Sequence, residues 1–150
     1  QLAACEYGGD KGIFGYGTTG SASSLSNLVS NVGVVATDVT GVGSARYLLE
    51  ACTYGGDKGI FAYGSTGSDV SLSNLVSNAG VVATDTTGVG TARRDLAACE
   101  YGGDKGIFGY GYDSGVLGMT NLVSNAGVVA TDVSVVGTAR TGPAGCSFST

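Results

Sequence analysis

Histidine and tryptophan are missing from this chain, and proline occurs once. Without histidine no Ser/His/Asp or Cys/His relay can form, and the commonest transition-metal ligand is gone. A single proline, with glycines that follow no three-residue period, excludes a collagen-like rod. Charge is scarce too. Seven Lys and Arg stand against twelve Asp and Glu, 13% of the 150 residues, for a net charge of −5. That balance argues against a nucleic-acid footprint. No apolar run approaches the ~18 residues of a membrane-spanning helix, so no membrane insertion is expected. The hydrophobic share, 43%, is too rich for a disordered chain. What abounds is glycine, at 28 positions among β-branched residues, a mixture that disfavours helix in every window. The expected class is all-β, in one domain over residues 1–150. The chain opens on Gln1 with no signal-peptide pattern, which suggests a processed product or part of something longer.

The four cysteines, Cys5, Cys52, Cys99 and Cys146, are each 47 residues apart. The contexts AACEYGGD, EACTYGGD and AACEYGGD show that the first three occupy one site of a repeated unit. The units are residues 5–51, 52–98 and 99–145, aligned without a gap, and 146–150 begin a fourth copy. Equivalent sites in neighbouring units usually lie beyond the ~7 Å that a disulfide spans, so buried, reduced thiols are expected. With no C-x-x-C and no histidine, zinc is not expected.

Each unit predicts four short antiparallel strands. In the first, Leu2–Tyr7 runs into the hairpin turn Gly8-Gly9-Asp10, and Gly12–Tyr16 returns. A polar loop, residues 17–24, follows. Leu25–Ser30 alternates apolar and polar, Asn31-Val32-Gly33 turns, and Val34–Asp38 reads as a fourth strand. Four strands in 40–50 residues is the spacing of a β-propeller blade. A β-solenoid is the alternative, although it would stack Asp10, Asp57 and Asp104 at about 4.8 Å, where they repel.

Several polar residues recur in register. Asp10, Asp57 and Asp104, each followed by lysine, read as solvated turns. Asp38, Asp85 and Asp132 lack the spacing of a calcium loop and are expected to accept from backbone amides. Arg46, Arg93 and Arg140 sit where one unit meets the next, and are expected to bond carboxylates or carbonyls between units. Tyr16, Tyr63 and Tyr110 close the second strand beside the polar loop, where they could stack on sugar rings or pack between units. The units differ most in that loop: TTGSASS at 18–24, STGSDVS at 65–71 and YDSGVLG at 112–118. In repeat proteins the variable face is often the binding face. Asp69, Tyr112 and Asp113 therefore join the three tyrosines as candidate ligand contacts. No catalytic set, metal site or cofactor motif is present, and no enzyme activity is expected.

The succession Arg46, LLEACTYGG, GIFAYG, LSNLVSNAGVVATD, Arg93 resembles the kelch repeat across essentially the whole chain. The resemblance implies a propeller of 47-residue blades, three in this chain. The wording GGDKGIFGYG, TNLVSN-x-GVVATD and GVGTAR is also similar to repeats in proteins predicted as tail-fibre or virion-surface proteins of marine bacteriophages. That similarity implies a structural, adhesive module outside the cell or on a virion, binding a glycan or cell-surface receptor. A self-assembling filament or shell subunit joined through open blade edges is the alternative. Propellers typically need four to eight blades, so a ring is expected to be completed by another copy, two copies giving six blades, or by a longer parent chain.

Overall fold

The computed structural model describes residues 1–134 and 137–147. Among these there is no helix. Nine strands form three separate antiparallel sheets, one per repeat. The first holds β1 (Ala3–Tyr7), β2 (Lys11–Gly15) and β3 (Ser26–Val29). The second holds β4 (Glu50–Tyr54), β5 (Lys58–Ala62) and β6 (Ser73–Val76). The third holds β7 (Ala97–Tyr101), β8 (Lys105–Asp113) and β9 (Gly115–Val123). Each sheet runs in chain order, with its middle strand in the centre.

The Gly-Gly-Asp turn closes each first hairpin, with Tyr7 paired to Lys11 and Cys5 to Ile13. Gly8 and Gly9 take φ of 63° and 77°, a left-handed pair that costs a residue with a side chain and suits glycine. The amide of Gly8 donates to the Asp57 carbonyl at 2.7 Å, and Gly55 does the same to Asp104, so the turns also tie one sheet to the next.

Two expectations are corrected. The fourth strand, Val34–Asp38, is not a strand. The segment runs beside β3 but touches its ladder only through isolated bridges, Val29 to Val35 and Ser26 to Val39. The register slips by one residue between those bridges, and the pairing stays at isolated bridges with no continuous ladder. The loop expected at 112–118 is also different in the third repeat: β8 and β9 extend into a hairpin turning at Ser114, after a register shift between Gly109 and Gly111. Asp113-Ser114-Gly115 supplies the tight turn that the Ser- and Thr-rich loops of the other repeats lack. Residues 135–136 and 148–150, within the third and fourth units, lie outside the described residues.

The hydrophobic core lies between the sheets. One cluster joins Ala3, Tyr7, Ile13 and Tyr16 of the first repeat to Leu49, Ala51, Phe61 and Val76 of the second. The other joins Cys52, Tyr54, Ile60 and Tyr63 to Leu96, Phe108 and Val123. Phe61 enters the first sheet where Gly15 leaves space: a Cβ there would stand 2.8 Å from its ring. The sheets approach one another most closely along their first strands, β1 against β4 and β4 against β7. The result is an open fan of three sheets with two filled junctions and two outward faces.

Candidate functional site

Each filled junction is organised by an arginine that the linker carries across. Arg46 is fully buried, as is Arg93. Its Nε donates to the Tyr63 carbonyl at 3.0 Å and its Nη2 to Asn74 Oδ1 at 2.6 Å. Asn74 in turn donates to Asp85 at 2.9 Å, and Asp85 also accepts from the amide and hydroxyl of Ser44, two residues before the arginine. The Arg46 guanidinium lies 4.2 Å above the Tyr16 ring, and that ring meets Phe61 edge-on at 5.2 Å. The second junction repeats every part. Arg93 bonds the Tyr110 carbonyl and Asn121, Asp132 accepts from Thr91 and Asn121, and Tyr63 lies beneath the arginine. Buried arginine is tolerable because its donors are met, and no buried side-chain polar atom among the described residues lacks a partner.

Burial disfavours the ionised form of Asp85 and Asp132, but hydrogen bonds from Ser44 and Asn74, or from Asn121 and Thr91, outweigh it. With the arginine charge they hold both carboxyls below the usual range. These aspartates therefore accept side-chain as well as backbone donors, from two repeats at once. Asp38 accepts from Asn27 at 2.8 Å within its own repeat. The turn aspartates are simpler: Asp10 accepts from Lys11 and Asn31, and Asp57 and Asp104 repeat the pattern.

Of the two readings open for the tyrosines, the structure has Tyr16 and Tyr63 packed between units. Tyr16 and Tyr63 are buried, with an arginine on one face and a phenylalanine at the edge, and their hydroxyls donate to the Val42 and Val89 carbonyls. Neither ring is open to a sugar. Tyr110, half-buried, carries Arg140 at 4.1 Å. All three hold φ near +64°, rare for an aromatic residue. That kink ends β2 and β5 and falls at the register shift inside β8, and it turns the Tyr16 and Tyr63 rings into the junctions. Nothing in a glycine-flanked tyrosine announces such a backbone, so sequence reasoning missed it, as it missed Asn27, Asn74 and Asn121.

The residues that differ between repeats gather elsewhere. The loops 18–24 and 65–71 and the hairpin 112–118 all follow the second strand, on the edge opposite the Gly-Gly-Asp turns. Arg94 binds Asp69 at 2.7 Å and lies 4.9 Å above the Tyr112 ring, with Asp95 at 3.9 Å. The structure thus brings Asp69 and Tyr112 together through an arginine found only in that linker, and leaves Asp113 at the hairpin tip. Asp69 is engaged rather than free, its side chain only 11% exposed.

The cysteines form no disulfide. Burial pushes the Cys5 thiol up to about 12 and raises Cys52 and Cys99 as well, so these sulfurs stay protonated and poorly nucleophilic at neutral pH. Cys146, expected to be buried, is exposed; among the described residues no sheet follows the third. Among the described residues no three His, Cys, Asp or Glu side chains converge on a metal-sized site. Among the described residues no helix is long and apolar enough to cross a membrane. No family model matches the chain, and no curated protein does either.

Proposed function

We propose that the chain is a non-enzymatic structural and adhesive repeat module of a virion or cell surface, which holds a row of variable loops toward a glycan or receptor. One observation carries this. The polar residues repeated in register are spent on turns and on joining repeats, whereas the residues that differ collect along one edge, where they are free to vary. In this reading the sheets are kelch-like propeller blades. The bridged segment 34–39 and its equivalents take the fourth-strand place, and the close first strands lie toward the axis. The thiols of Cys5, Cys52 and Cys99, held protonated, and the buried arginines are not poised for acid–base or nucleophilic work.

A glycan array probed with the intact chain tests the adhesive role. Saturable binding to a narrow set of sugars, lost on replacing Tyr112 and Asp113 by alanine while the circular dichroism spectrum is kept, is the expected result. Binding that survives the double replacement would move the contact off this edge. No saturable binding to any glycan would remove the sugar and leave a protein receptor.

A further inference from the structure

The fan carries two unfinished halves of the same junction. On the first sheet the acceptors are present without an arginine. Asn27 and Asp38 bond each other as Asn74 and Asp85 do, and Asn27, Phe14, Tyr16 and Asp38 line an open cavity of about 350 Å³. Leu2 and Phe14 on this face are 51% and 39% exposed, while their equivalents Leu49 and Phe61 are fully buried. On the third sheet the arginine is present without acceptors. The backbone of Arg140 is held as that of Arg46 is: its amide donates to Leu117 and its carbonyl accepts from Gly111. Its guanidinium stacks on Tyr110, yet among the described residues nothing accepts a hydrogen bond from it. Beside it, Ile107, Gly109 and Tyr110 line a cavity of about 260 Å³, at the position where Ile13, Gly15 and Tyr16 receive Phe61. Tyr101 on this face is 38% exposed against 5% for Tyr7.

We infer that copies of this chain associate head to tail: the first sheet of one copy docks on the third sheet of another, completing a third junction of the kind already built twice. Arg140 of one copy donates to the Tyr16 carbonyl and Asn27 Oδ1 of the next, as Arg46 does to Tyr63 and Asn74. Phe14 enters the cavity over Gly109. Charge and shape are complementary because both halves come from equivalent positions of one repeat. The contact is heterologous, so it closes a ring of copies or extends an open row.

One segment stands in the way. Residues 143–147 run where the first strand of a fourth unit would lie, with Gly145 against the Ala98 carbonyl. The tail is held by Gly142 donating to the Asp95 carbonyl and by Glu100 donating to Ser147 Oγ. The incoming β1 is held by a five-residue ladder on β2. The tail, with fewer bonds, is the one that yields.

The test uses two variants of the full chain, followed by light scattering across concentration. Arg140→Ala spoils one face and Phe14→Lys the other. Neither side chain is part of a filled junction, so circular dichroism and thermal midpoints of both should match the parent. The parent is expected to form rings or rows. Each variant alone should be monomeric, its apparent Kd raised at least tenfold. Mixed one to one, they should form a dimer and nothing larger, because each supplies one intact face. A parent that stays monomeric at millimolar concentration, a variant that assembles like the parent, or a mixture that fails to pair would overturn the inference.

Discussion

Phe14, Phe61 and Phe108 are one residue in three settings. The first lies on an outward face and the other two are sealed between sheets. Phe61→Ala is expected to cost about 3–5 kcal/mol, the range for emptying a packed aromatic site, and Phe14→Ala under about 1 kcal/mol in the monomer. Urea unfolding at equal concentration checks both, and equal losses would mean that the outward face is packed too. Titration separates residues in the same way. Asp85 and Asp132, held low, contribute stability above their unfolded value of about 3.8, and that contribution is lost as pH falls through their folded values. Glu50 acts oppositely. It stands where the other repeats have alanine, and burial pushes it up to about 7. The unfolded chain releases that proton first, so stability falls as pH rises from about 4.5 to 7, by roughly 1–2 kcal/mol once partial exposure is discounted. The thermal midpoint is expected to peak near roughly pH 4–5. Glu50→Ala should hold it flat from pH 5 to 8; a slope unchanged by that replacement would assign the effect to another group.

At the scale of strands, spacing between sheets is set by where side chains are missing. Gly59 faces the Cys5 sulfur and the Glu6 carbonyl, so a Cβ there collides with the neighbouring sheet. Gly12, its equivalent, meets Val29 at an ordinary 3.5 Å and the Cys5 carbonyl of its own sheet at 3.9 Å. Gly59→Ala is expected to cost about 1–3 kcal/mol through overpacking, whereas Gly12→Ala should change monomer stability by under about 0.5 kcal/mol. Denaturant midpoints for the pair decide it. Much of this level was legible beforehand. The 47-residue period fixed the equivalences, and the Gly-Gly-Asp turn and alternating LSNLVS placed three strands of the first two sheets to within two residues, whereas β8 and β9 run on into the hairpin of the third. The fourth failed because Val34–Asp38 has strand composition while its pairing slips by a residue, and single-strand patterns carry no information about register between strands. The junction was half legible. An arginine before each new unit pointed to a bond across repeats. Its asparagine partner, 28 residues on in Asn74, and the left-handed tyrosine beneath it depend on how the sheets lie together.

The whole molecule is a row in which each sheet touches only its neighbours. Its stability is then close to a sum of single-repeat and junction contributions, and the two end faces are its weakest places. The glycan array and the mixed-variant experiment divide the molecule along different directions: the first examines the edge where repeats differ, the second the faces where they agree. The arginine junction has a consequence for how such a gene can change. Arg46 and Ser44 come from the end of one unit, Asn74 and Asp85 from the body of the next, and every unit encodes both. Unequal crossing-over that inserts or deletes 47 codons in frame therefore creates or removes a complete seam and leaves no mismatched one. Array length can drift freely under recombination, while a point change in the seam recurs as a fault wherever that unit is copied.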